Sequence, residues 1–186
     1  MAEMLGGMKR THMCGVLGSD HIDQEVVLMG WVQRRRDLGG LIFVDLRDRE
    51  GLVQIVFDKD VSEEAFKKAE KIRGEFVIAT RGKVKRRESE NPNLKTGEIE
   101  IFAEELKILS EAEIPPIHIK DEDGAGERLR LKYRYLDLRK PKMQKILRTR
   151  SKIASSIREF LDGNGFLDLE TPVLTKATPE GARDYI

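Results

Sequence analysis

Between residues 25 and 112 the chain carries five short strand-like runs, and the alternation of apolar and polar side chains in three of them limits its fold more than any other feature. In residues 41–47, Ile42, Val44 and Leu46 fall on one side while Leu41, Phe43, Asp45 and Arg47 fall on the other, because successive side chains of a strand point to opposite faces. Residues 52–58 repeat the pattern, with Val53, Ile55 and Phe57 set against Leu52, Gln54, Val56 and Asp58. Near residue 100, Ile99, Ile101 and Ala103 oppose Glu98, Glu100 and Phe102. Two further strand-like runs, 26–31 and 76–86, are set off by turn residues.

One helix interrupts the strands. Ser62 suits its N-cap, Glu63 and Glu64 suit the positive helix end, and Phe66, Ala69 and Ile72 share a face; Gly74 follows Lys71 and Arg73 at the exit. Five strands with a helix between the third and fourth is the order of an OB-fold, a small barrel that binds oligonucleotides on its second and third strands and nearby loops. The expected organisation is a barrel domain over residues 1–112, a linker over 113–128, and the opening of an α+β domain over 129–186. Pro115-Pro116 stops the last strand, and the stretch 121–126, Asp-Glu-Asp-Gly-Ala-Gly, reads as too polar and glycine-rich to pack. Beyond it, Pro141 suits a helix start, Met143, Ile146, Leu147, Ala154, Ile157, Phe160 and Leu161 recur at helical spacing, Gly163 to Gly165 ends the helix, and a strand is expected to follow to Pro172.

Composition restricts the function classes. No apolar run approaches membrane-spanning length, and residues 1–7 lack a charged start followed by an apolar block, so a soluble cytoplasmic protein is expected. The one cysteine, Cys14, has no partner for an internal disulfide, and His12, His21 and His118 are too scattered to suggest a metal site. Lys plus Arg number 34 against 33 for Asp plus Glu, so overall charge does not point to nucleic acid. Its distribution does: Arg34, Arg35 and Arg36 are consecutive, Arg81, Lys83, Lys85, Arg86 and Arg87 crowd one segment, and 128–152 is basic again.

Alternation assigns Phe43, Gln54 and Glu100 to the outer side of the barrel. An outward aromatic stacks on an unpaired base, a glutamine amide matches the O4 and N3–H of a uracil edge, and a carboxylate accepts from guanine N1–H and N2–H. Arg34 to Arg36 can hold phosphates or a base edge. A barrel with one surface Phe and ordinary surface polars would alternate in the same way.

Residues 30–54, Gly-Trp-Val-Gln-Arg-Arg-Arg-Asp-Leu-Gly-Gly-Leu-Ile-Phe-Val-Asp-Leu-Arg-Asp-Arg-Glu-Gly-Leu-Val-Gln, resemble the anticodon-binding domain of bacterial-type aspartyl-tRNA synthetases. So do residues 10–15; further matches to the same family are 96–100, 129–139 and the terminal stretch, where 165–186 resemble motif 1 of class II synthetases followed by the aspartate-specific loop Thr-Pro-Glu-Gly-Ala-Arg-Asp. The matches follow the family order over nearly the whole chain after Gly7. The resemblance implies that Phe43 stacks on the middle uracil of a GUC anticodon, Gln54 reads its edge, Glu100 serves the first-position guanine, and Arg34, Arg36 and Arg87 grip the loop. It also makes Glu180 a holder of aspartate or its adenylate and Pro172 the motif 1 proline of a homodimer interface.

The implied parent activity is aspartate-tRNA ligation with ATP and magnesium, on the aspartate tRNA alone or on the asparagine tRNA as well, both forms being found in the family. The phosphate-stabilising arginines of that reaction come from two later motifs that the 186 residues do not contain. No residue here is therefore expected to be catalytic or to bind metal, and the chain alone is expected to be inactive and to need no cofactor. A free-standing RNA-binding paralogue is the alternative of a different class. Asparaginyl- and lysyl-tRNA synthetases share the architecture but fit Thr178 to Tyr185 poorly.

Overall fold

The computed structural model describes residues 2–173, and the chain divides between Pro115 and Pro116 into two compact units. In the first unit β1 (Glu25–Asp37), β2 (Leu41–Arg47), β3 (Leu52–Asp58), β4 (Val77–Arg86) and β5 (Ile99–Ser110) close a barrel in the order β1-β2-β3-β5-β4, with α1 (Glu63–Ala69) between β3 and β4 in sequence. All pairings are antiparallel except the short parallel contact of β3 with β5. The expected OB-fold is thus the fold observed.

The alternation of the sequence is realised directly. Ile42, Val44, Leu46, Val53, Ile55, Phe57, Ile99 and Ile101 are fully buried in one core cluster, each contributing roughly 1.5–3 kcal/mol by leaving water. β1 extends past the run read from sequence because it serves two neighbours. Its first half, Glu25 to Trp31, pairs with β4; its second half, through the three arginines to Asp37, pairs with β2 across a bulge between Val32 and Arg34. Gly30 sits where β1 passes from one neighbour to the other, and a Cβ there would lie 2.4 Å from the Arg47 carbonyl oxygen, a strand-on-strand approach open only to glycine.

Helix α1 is capped as its sequence suggests. The Ser62 hydroxyl accepts from the Ala65 amide, acidic residues fill the first turn and basic ones the last, and Ala65, Phe66 and Ala69 pack inward against β5, β3 and β2. Cys14 is buried beneath a turn held by the Asp48 carboxylate, and burial pushes its thiol far above the ordinary range, which makes it inert. His12 and His21, separate in sequence, bring their rings to 5.1 Å in an edge-to-face contact. No group of three or more His, Cys, Asp or Glu side chains is arranged to hold a metal among the described residues. No described helix is long and apolar enough to cross a membrane.

The second unit holds α2 (Glu127–Lys132), α3 (Arg134–Asp137) and α4 (Pro141–Gly163), the last opening with proline in its first turn as expected. Two expectations are corrected here. The linker expected over 113–128 packs in part, including one residue of the stretch 121–126 read as too polar to pack: Ile117 and Ile119 are buried with Leu136, and the Asp123 carboxylate receives the Lys140 ammonium at 2.8 Å with both side chains under 5% exposed. A buried ion pair looks like solvated polarity in a sequence. The strand expected after Gly165 and up to Pro172 is not formed by the described residues: 166–173 have no ladder partner there, and they are exposed, Pro172 included. A strand requires a hydrogen-bonded neighbour. The apolar stripe of α4, with Ile153, Ile157 and Phe160 more than half exposed, faces no other described side chains closely enough to be buried.

Candidate nucleic-acid interface

Gln54 is the centre of a polar network on the outer face of the barrel. It stands on β3 between Asp45 of β2, its direct cross-strand partner, and Glu100 of β5. Its Nε2 donates to Glu100 Oε2 at 2.7 Å, while its Oε1 accepts from Arg36 Nη2 and from Arg87 Nη2, each at 3.0 Å. Two guanidinium groups on one end and a carboxylate on the other fix the orientation of the amide, since the reverse would set donor against donor. Arg36 Nη2 also donates to Asp45 Oδ1 at 3.0 Å, and its guanidinium carbon lies 5.8 Å from the centroid of the Phe43 ring.

Five of the sequence-derived residues are therefore neighbours: Arg36, Phe43, Gln54, Arg87 and Glu100. Arg34, two positions before Arg36 and opposite Asp45, lies on the same face and is exposed. Arg35 points elsewhere, donating from Nε to the Ala69 carbonyl at the end of α1 and pairing with Asp37. Pro172 lies far along the chain in the exposed terminal stretch, and Glu180 lies outside the described residues. Asp45 belongs to the site and was not singled out from sequence, although the alternation that exposes Phe43 places it on the same side.

The face read from alternation is correct, but its exposure is not. Gln54 and Glu100 are only 4% and 8% exposed, covered by their own network partners, while Phe43 is half-buried. Burial raises the Glu100 carboxyl above its ordinary value, against the opposing pull of the Gln54 hydrogen bond and the Arg87 charge. Arg36 Nε and Arg87 Nη1 are buried without a hydrogen-bond partner among the described residues. Such unpaired donors are costly by about 1–3 kcal/mol each, and here they belong to the two guanidinium groups that bond Gln54 Oε1, that of Arg36 lying beside the Phe43 ring. The arrangement offers donors and one stacking surface to an acceptor-rich planar ligand. For Gln54 Oε1 to accept a further proton, one arginine has to turn away, so a ligand that engages it must also supply an acceptor for the displaced guanidinium. A nucleotide has both.

Comparison with known proteins matches these two units to two families. Residues 26–109 match the OB-fold nucleic acid binding domain, and residues 126–186 match the class II tRNA synthetases for D, K and N. The whole chain is 59% identical to the aspartate-tRNA(Asp/Asn) ligase of Thermoanaerobacter sp. (strain X514), of which it spans 32%, and 59% identical to the aspartate-tRNA ligase of Clostridium novyi (strain NT), of which it spans 31%. The chain belongs to the aspartyl-tRNA synthetase family. It spans about a third of the length of these relatives. Among solved structures, the asparaginyl-tRNA synthetase of Pyrococcus horikoshii complexed with asparaginyl-adenylate superposes with a TM-score of 0.80 at 30% identity, over 94% of this chain and 39% of that one. Family membership and the class II match agree with the sequence reading of residues 129–186 as the opening of a synthetase catalytic domain.

Proposed function

We propose that this chain is the anticodon-reading part of an aspartate-tRNA ligase, and that the polar network on the outer barrel face is the anticodon site. The observation that carries the reading is the Gln54 amide held between Glu100 and two arginines beside the half-buried Phe43 ring. Phe43 takes the middle uracil by stacking, and Gln54 reads its edge once Arg36 or Arg87 turns to the RNA backbone. Glu100 accepts from the first-position guanine with the oxygen that Gln54 leaves free. Arg34 adds sequence-independent phosphate attraction.

The activity of the whole enzyme is part of the same proposal: activation of aspartate with ATP and magnesium and transfer to tRNA, in a cytoplasmic homodimer with Pro172 in its motif 1 interface and Glu180 at the aspartate. No described residue cluster fits magnesium, and neither ATP nor the metal is assigned to a described side chain. The domain reading also stands as a proposal, with the barrel folding independently of the residues after Pro116. Relatives named for aspartate alone and for both aspartate and asparagine tRNAs stand at equal identity, so the second tRNA is a question for direct binding.

The test is binding of the 186-residue chain to two anticodon stem-loops, one carrying GUC and one with the middle U changed to C. Tighter binding of the first by about 1–3 kcal/mol is expected, because the C presents a donor where the site offers N–H groups. Equal binding of both would reduce this face to an electrostatic platform.

A further inference from the structure

The same face carries a second aromatic that the Gln54 network does not use. Strand pairing sets Phe43 opposite Val56, and Val56 opposite Phe102 on β5. The three side chains thus form one row across β2, β3 and β5. Neighbouring strands are about 4.8 Å apart, which separates the two rings by roughly 10 Å, with Val56 only 1% exposed between them. The row ends in a cation on each side: Arg36 opposite Phe43, and Lys83 opposite Phe102.

Each ring also has a cation over its face. The Arg36 guanidinium lies 5.8 Å from the Phe43 centroid, and Lys85 Nζ lies 4.1 Å from the Phe102 centroid. Phe102 is half-buried and stays outside the barrel core, although its neighbours Ile101 and Ala103 belong to it. Its backbone is held firmly. A Cβ on Gly82 would come within 2.2 Å of the Phe102 carbonyl oxygen, so β4 and β5 touch there at a distance only glycine permits. A fixed ring covered by one exposed lysine is poorly explained by packing. It suits a single-stranded nucleic acid, whose base displaces the ammonium from the ring while the ammonium moves to the phosphate.

We propose that Phe102 is a second base-stacking platform, which takes an unpaired anticodon-loop nucleotide adjacent to the one on Phe43 while Lys85 turns to that nucleotide's phosphate. The proposal rests on the reading of this face as an RNA site. It divides the loop between two rings on one row, with the Gln54 network beside them.

The test uses the whole chain and the GUC stem-loop, with dissociation constants measured for Phe102→Leu, which keeps apolar volume, and Phe102→Tyr, which keeps the ring. Loss of binding by about 5- to 100-fold is expected for the leucine variant, the range of one base stack, with near-normal binding for the tyrosine variant and an unchanged melting temperature for both. Stem-loops with an abasic residue at each unpaired position in turn locate the partner. At one position other than the middle uridine, the abasic loop should bind weakly and Phe102→Leu should cost nothing further. Lys85→Gln should lower the slope of log affinity against log salt by about one. Unchanged binding by Phe102→Leu, or an equal loss on every abasic loop, would overturn the second platform. If Phe43→Ala weakens binding while Phe102→Leu does not, only the second platform fails; if the unmutated chain does not bind the GUC loop, the RNA reading fails and takes this proposal with it.

Discussion

The two units each bury a carboxylate, and they treat it in opposite ways. In the second unit Asp137 is fully buried and receives Arg130, Arg134 and Lys140, with Asp123 joining through Lys140. The Arg130 hydrogen bond leads the causes that hold Asp137 below the ordinary carboxylate range. In the barrel, Glu100 is bonded to a neutral amide, and burial wins, raising its pKa. Cations surround the first acid and close it off. The second accepts from a neutral amide, while Arg36 Nε and Arg87 Nη1 beside it are buried without acceptors among the described residues. The second-unit cluster pairs every charge with an opposite one, although Asp123 Oδ2 is itself buried without a hydrogen-bond partner among the described residues; such charge-paired clusters stabilise a fold, while guanidinium donors left short of acceptors at a surface await a ligand.

The largest expected effect tests the charge-paired side. Asp137→Ala leaves Lys140, itself 4% exposed, with Asp123 alone and takes the shared acceptor from Arg130 and Arg134; removal of one partner from a buried ionic cluster costs up to about 3–5 kcal/mol. Hydrogen exchange of the α2 and α3 amides should accelerate by several orders of magnitude while the barrel amides and RNA binding hold. Unchanged exchange in 127–139 would mean that the helices are held by Ile117, Ile119 and Leu136 alone.

Phe43→Ala addresses the other side. It should weaken binding of the GUC stem-loop by about 1–3 kcal/mol and leave the barrel's melting temperature nearly unchanged, because Phe43 lies outside the core cluster. Early melting with normal RNA binding would assign the ring to packing. A smaller loss in raw affinity is expected for Gln54→Ala, whose arginines remain free to hold phosphates. Its effect should fall on discrimination: the preference for GUC over the loop with a central C should shrink to within a few tenths of a kcal/mol, as the polar edge that rejects the wrong base is gone.

How much of this was legible in the sequence follows from what a local pattern can encode. Period-two alternation fixed which side of β2, β3 and β5 is core, and so placed Phe43, Gln54 and Glu100 on one face. It could not encode what covers that face, because Arg36 and Arg87 arrive from β1 and the end of β4 through barrel closure. Gln54 was therefore expected in solvent and is found buried. The second half of β1 was hidden by its three arginines, which follow the apolar run 26–31 without an apolar pattern of their own and yet form a paired strand. Asp123 and Lys140 each look solvated in sequence; only a contact across 17 positions makes them core. Residues 165–172 have strand composition without a described strand to pair with. Glu180 and its role in holding aspartate came from resemblance alone.

The smallest expected effect is in pH dependence, and it separates the two carboxylates by sign. Burial raises the folded pKa of Glu100 above its unfolded value, so its contribution to stability is full below the unfolded value and is lost as pH rises through the folded one. Asp137 is the reverse: its contribution is present above the unfolded value and lost as pH falls through the lowered folded one. At neutral pH, Glu100→Gln should melt slightly higher than the unmutated chain, and Asp137→Asn should melt lower. On acidification both differences shrink, but in different windows. The Glu100→Gln difference closes as pH falls from the raised pKa to about 4.3, the ordinary glutamate value; the Asp137→Asn difference begins to close only below about 3.9, the ordinary aspartate value. Thermal melts of each variant against the unmutated chain between neutral and strongly acidic pH read both windows. A Glu100→Gln variant that melts lower than the unmutated chain at neutral pH would show that the Arg87 charge outweighs burial. Glu100 would then belong with Asp137 as a fold-holding carboxylate, and the contrast between the two units would collapse.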